Sequence, residues 1–203
     1  MTVDREAVLA AYDDGVTSIE NLVVDDWDAV VCGSWSATEL AGHLVNVVSW
    51  YHNWLDLAED GFSKAPWSLG YLDRMTEDSL AALPDGSGPD RLAEFVDAAR
   101  GYRERLPASW DIAYGYPRGT VTAGGHAAVA ATEWHLHAWD FTGGTHRPAS
   151  PQPLAEATAT VTLLARVPFR LQRLAAPLIG VAARREIDKR GGPWETLLHH
   201  AGR

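Results

Sequence analysis

The sequence contains a single cysteine, Cys32. One cysteine excludes an intrachain disulfide and any CxxC metal or redox motif. It fits a reducing compartment. Basic residues are also scarce, with 17 Lys and Arg against 27 Asp and Glu, for a formal net charge of −10. Such a chain lacks the broad basic patch that nucleic acid or an anionic membrane surface requires, so neither is expected as a partner. No apolar run approaches the ~18 residues of a membrane span. The opening M-T-V-D-R-E places acidic residues where a signal peptide has a basic start and an apolar core. The expectation is a soluble cytoplasmic protein. Internal repeats and low-complexity tracts are missing as well.

The rest is ordinary in bulk, at 46% hydrophobic and 22% charged residues, apart from nine tryptophans. Val8, Ala11, Tyr12, Val16, Ile19, Leu22 and Val23 recur at spacings of mostly three and four, which marks a first amphipathic helix over 3–24. Gly15 costs that helix roughly 1 kcal/mol relative to alanine, so close packing is expected there. S-A-T-E at 36–39 reads as a capping box opening a second helix over 37–58. A shorter helix is expected over 71–82. A third main helix is expected over 90–106, ended by Pro107. The aromatic stretch 110–119 fits either a strand pair or a pocket-lining loop. A fourth helix runs from about Thr122 to the double glycine Gly143-Gly144. Residues 154–166 look helical, Pro168 and Pro177 interrupt the stretch beyond them, and 193–200 form a short terminal helix. Four long amphipathic segments without strong alternation predict an all-α bundle. The division expected is a bundle over 1–146 and an extension of short helices and loops over 147–203, packed on it.

The fourth helix carries the chemistry. Its stretch T-E-W-H-L-H-A-W-D-F-T, at 132–142, sets Glu133 and His137 four residues apart, on one helix face. A carboxylate and an imidazole so placed can bind one divalent metal from a rigid element. His43, on the second helix, is the third-ligand candidate. These donors suit Zn²⁺ and also Ni²⁺, Fe²⁺ or Mn²⁺. Three protein ligands leave a position open for water or substrate. Without further information, Glu133–His137 is equally a surface contact and His43 a core histidine.

C-G-S-W-S-A-T-E-L-A-G-H-L at 32–44 and E-W-H-L-H-A-W-D at 133–140 resemble the two signatures of the DinB-like superfamily. They are closest to the actinobacterial branch that includes mycothiol-dependent maleylpyruvate isomerase. The tail P-W-E-T-L-L-H-H-A-G-R at 193–203 is similar to the ending of many short members. The resemblance implies a DinB-like four-helix bundle, His43, Glu133 and His137 as metal ligands, usually of zinc, and mycothiol as cofactor or co-substrate. It does not extend to the isomerase's further C-terminal domain, so maleylpyruvate itself is not the expected substrate.

Around the site, His126 lies seven residues before Glu133 and is a candidate proton shuttle. Arg118 is a candidate carboxylate clamp, with Arg184 and Arg185 as other sources of positive charge. Asn46 and Trp50 are candidates for ligand contact. Asp140 is placed either to accept from the second ring nitrogen of His137 or to hold a helix-end contact, and His135 points to a surface or interface. The reaction expected is S-transfer, conjugation or isomerisation of a small electrophile by the thiol. The alternatives are a metal-dependent hydrolase and a non-catalytic metal- or ligand-binding stress protein. The apolar segment 161–178 hints at a homodimer.

Overall fold

The computed structural model describes residues 4–59, 78, 81, 85–116, 119–164 and 166–203. Helix α1 (Arg5–Glu20) is capped by Asp4, whose carboxylate accepts from the Ala7 amide at 3.1 Å. A small hairpin of β1 (Val30–Cys32) and β2 (Trp35–Ser36) precedes α2 (Ala37–Glu59). The capping box is present in full. The Glu39 amide donates to Ser36 Oγ at 3.2 Å, and the Ser36 amide donates to Glu39 Oε2 at 2.8 Å. The helix expected over 71–82 lies almost entirely outside the described residues.

Helix α3 (Gly88–Ser109) starts at the Ser87 cap and contains Pro107 in its last turn. The proline does not end the helix as expected: α3 runs on to Ser109, although Pro107 offers no N–H to the carbonyl of Arg103. The aromatic stretch resolves into an antiparallel hairpin, β3 (Ala113–Tyr116) with β4 (Gly119–Thr122). Thr122 then caps α4 (Ala123–Phe141), accepting from the Gly125 amide at 3.1 Å. Gly143 and Gly144 close α4 with φ of 58° and 89°, a left-handed turn that residues with a Cβ adopt reluctantly.

Three further helices complete the chain: α5 (Pro151–Leu164), α6 (Phe169–Lys189) and α7 (Pro193–His200). Pro168 stands at the N-cap of α6, but Pro177 lies inside it. An interior proline costs about 3 kcal/mol. The burial of Ala176, Ala183 and Ile187 along one side of α6 offsets it. The opposite side leaves Leu171, Leu174, Leu178 and Val181 exposed.

Helix α4 is the axis of the molecule. It packs on α1, α2, α3 and α5, while α2 pairs with α3. Small side chains make this closeness achievable: Ala123, Ala127, Ala128, Ala130, Ala131 and Ala138 are all fully buried. On the facing helix, a Cβ at Gly15 would sit 2.9 Å from Cβ of Trp134. Gly15→Ala is therefore expected to lower stability. Overpacking of about 1–3 kcal/mol outweighs the roughly 1 kcal/mol of helix propensity gained. Urea denaturation checks this, and a rise in midpoint would contradict the close packing.

Candidate metal centre

Two helices bring the predicted ligands together. His43 comes from the first half of α2, Glu133 and His137 from one face of α4, and all three line a cavity of about 470 Å³. The rings of His43 and His137 stand nearly perpendicular, 5.2 Å apart between centroids. The Trp35 ring, from the hairpin before α2, packs 4.8 Å from that of His43. Leu197, His200, Ala201 and Arg203, from α7 and the turn after it, complete the wall together with Arg166 and α5.

Each of the three donors has a defined environment. Burial, with lesser contributions from His137 and Arg203, holds His43 down at a pKa of about 3, so it is neutral and able to ligate at physiological pH. Its Nδ1 is buried without a hydrogen-bond partner among the described residues. Burial pushes the Glu133 carboxyl up, against the hydrogen bond that the Tyr51 hydroxyl donates to Oε2 at 2.5 Å. His137 Nδ1 lies 3.0 Å from Asp140 Oδ2. For Asp140, burial alone would raise the pKa. Hydrogen bonds from Arg203 and His137 overcome it and hold the carboxyl at about 2. The carboxylate therefore accepts from His137 Nδ1, an arrangement that in a neutral ring leaves the lone pair on Nε2.

Two imidazoles and a half-buried carboxylate are a donor set that fits a divalent cation such as zinc. The unpartnered Nδ1 of His43 fits it further, since buried polar groups are rarely left unsatisfied. A tighter cluster lies next door, where ligand atoms of Cys32, His137 and Asp140 fall within 4.8 Å of one another. That cluster already holds a cation. Arg203 donates to both Asp140 oxygens and lies 3.5 Å from Cys32 Sγ. Burial and the Asp140 carboxylate also push the Cys32 thiol up, away from the thiolate that metals bind. Electrostatics favours the His43 side of His137 for a metal.

The other sequence candidates fall elsewhere. His126 sits behind the site, hydrogen-bonded through Nδ1 to the Tyr114 hydroxyl and stacked on Trp54. Its ring meets that of Tyr51 at 4.2 Å, so it supports the residue that holds Glu133. Burial lowers its pKa to about 3, far from the near-neutral value a shuttle needs. Asn46 and Trp50 are half-buried on α2 and take no part in the cavity wall. Arg118 lies outside the described residues. Arg184 pairs with Glu156 on a separate groove, and among the described residues the arginines on the cavity are Arg166 and Arg203.

His135 is not at a surface. It is fully buried between α4 and α1, with Nε2 donating to the Ala11 carbonyl at 3.1 Å and Nδ1 accepting from His146 Nε2 at 3.0 Å. The expectation fails because α4 is buried nearly all round and has no solvent face for it.

Three neutral histidines, His126 and His135 buried and His43 half-buried, predict acid sensitivity. Burial depresses His43 and His126 to about 3 and His135 to about 4. Unfolded, each binds a proton below about 6.5. Between those values the unfolded chain binds more protons, so stability is present above 6.5 and is lost as pH falls. Glu133, with its raised pKa, contributes in the opposite sense. Metal-free protein is therefore expected to take up about two to three protons on unfolding near pH 5. The slope of unfolding free energy against pH measures this, and a flat profile between pH 6.5 and 4 would contradict it.

A family model described as the mycothiol maleylpyruvate isomerase N-terminal domain matches residues 8–142. No curated protein and no solved structure matches.

Proposed function

The chain belongs to the mycothiol maleylpyruvate isomerase N-terminal domain family, a DinB-like family, and from that premise we propose that it is a metal- and thiol-dependent enzyme acting on a small electrophile. The all-α DinB-like fold goes with that membership. The reading is carried by one observation: His43, Glu133 and His137 face one cavity, with Nδ1 of His137 already committed to Asp140. These three residues would hold the metal, with zinc the ion their chemistry suits best. A divalent cation there would lower the pKa of a bound thiol so that thiolate forms near neutrality.

The chain's own residues do the rest. Tyr51 orients Glu133, and Asp140 orients His137. Val129, Leu136, Val161, Leu197 and Ala201 form the apolar part of the wall and limit water around the reacting sulfur. Mycothiol is the proposed thiol. Its thiolate sulfur would add to one carbon of a C=C bond conjugated to a carbonyl, the π pair moving onto that carbonyl as an enolate. Rotation about the new C–C single bond and expulsion of the thiolate, which re-forms the C=C bond, would give isomerisation, whereas protonation of the enolate carbon by solvent would leave the S-conjugate.

Calorimetric titration of mycothiol into zinc-loaded protein tests this. Saturable binding to wild type that is lost in His43→Ala is the expected result. No binding to wild type, or equal binding to both, would overturn it. Turnover of an amide or ester with no thiol present would instead assign the site to hydrolysis by an activated water.

A further inference from the structure

Arg203 reaches α4 from outside the segment that the family model matches. It follows α7, where its amide donates to the Leu198 carbonyl at 2.9 Å and its Nη1 to the Ala201 carbonyl at 3.1 Å. Its guanidinium then forks onto Asp140, with Nε donating to Oδ1 at 2.8 Å and Nη2 to Oδ2 at 2.5 Å. Nη2 also lies 3.5 Å from Cys32 Sγ, in the hairpin before α2. Asp140 is buried at 5% exposure, and the oxygen that takes Nη2 is the one facing His137 Nδ1. The Arg203 side chain is 18% exposed.

We propose that Arg203 is a positioning residue for His137: by gripping both oxygens of Asp140 it fixes that carboxylate, and through it the tautomer and ring orientation of His137. The logic is that of an outer partner of a ligating histidine, extended by one link. A carboxylate gripped on both oxygens cannot rotate, so only one oxygen is offered to the imidazole, in one direction. Lysine supplies a point charge but not the fork, so it restores the charge and only part of the orientation. The segment 193–203 thereby completes a site whose proposed ligands all lie within 8–142. The purpose assigned to the arrangement rests on the reading of His137 as a metal ligand, but the arrangement itself is read without metal.

The test is long-range proton–nitrogen NMR of the histidine rings in the full, metal-free chain near neutral pH, with the His137 signals assigned by their loss in His137→Gln. In wild type, His137 is expected as the single Nδ1–H tautomer. In Arg203→Gln, a mixture containing the Nε2–H form is expected, and in Arg203→Lys an intermediate state. Zinc affinity is expected to fall in Arg203→Gln by less than the about 10–100-fold that loss of Asp140 itself would cost, and by less again in Arg203→Lys. A His137 tautomer unchanged in both variants would overturn the proposal. Should Arg203→Gln fail to fold, Arg203→Lys, which keeps the stem and the charge, carries the comparison. The two readings fail separately. Wild type that binds no zinc but shows the tautomer shift sinks the metal reading and leaves this one. Zinc binding with a tautomer indifferent to position 203 does the reverse.

Discussion

Replacing His137 by alanine is expected to lower zinc affinity by at least about 100-fold. Loss of a partner one bond removed from the metal costs about 10–100-fold, and loss of a ligand itself must cost at least the upper end of that range. The change removes a nitrogen donor and also leaves the Asp140 carboxylate with Arg203 as its remaining charged partner. Competition against a chromogenic chelator measures the affinity, and circular dichroism confirms the helices. His43→Ala is expected to produce a similar loss from the other wall of the cavity. A His137→Ala protein that keeps wild-type zinc affinity would move the site away from α4.

The second large effect concerns Trp134, which sits between Glu133 and His135 and is fully buried. Its indole packs edge-on against Phe95 and Tyr12, at 4.8 and 6.0 Å between ring centroids, and tilted against Tyr51 at 5.8 Å. Trp134→Ala is expected to cost about 3–5 kcal/mol, from lost transfer energy plus the cavity left behind. That is a large part of the roughly 5–15 kcal/mol typical of a whole domain. The effect should reach the metal centre. Tyr51 packs on Trp134 and its hydroxyl holds Glu133, so a shifted Tyr51 loosens that carboxylate. Urea denaturation gives the stability change and chelator competition the change in metal affinity. Trp134→Phe is expected to retain most of both.

The shared face of Glu133 and His137 is legible in the sequence because a helix converts a spacing of four into one face, and both residues line the same cavity. Adding His43 takes more, since its distance from α4 is set by packing; only a second matching motif supplies it. Tyr51 is hidden for a different reason. Its ring belongs to the core face of α2 and reads as such, while its hydroxyl reaches the site. A signal is available, because Tyr51 lies eight residues after His43 on the same helix and near the same face. Arg203 carries no such signal. It meets Asp140 across 63 residues, through a turn whose direction no local pattern sets. His135 reads as a surface residue because amphipathic reasoning assumes a solvent face, and the alanine-rich α4 has almost none. Pro177 reads as a break when propensity is weighed without the burial that overrides it.

The central claim is a single metal ion held by His43, Glu133 and His137. The most direct measurement is an anomalous-difference map from crystals of zinc-loaded protein, recorded at the zinc edge. The expected result is one peak per chain, about 2.0–2.1 Å from a nitrogen of each histidine and about 2.0–2.2 Å from a Glu133 oxygen, with Arg203 still on Asp140. A peak bonded to Cys32 and Asp140 with Arg203 displaced, or no peak in the cavity at all, would contradict it.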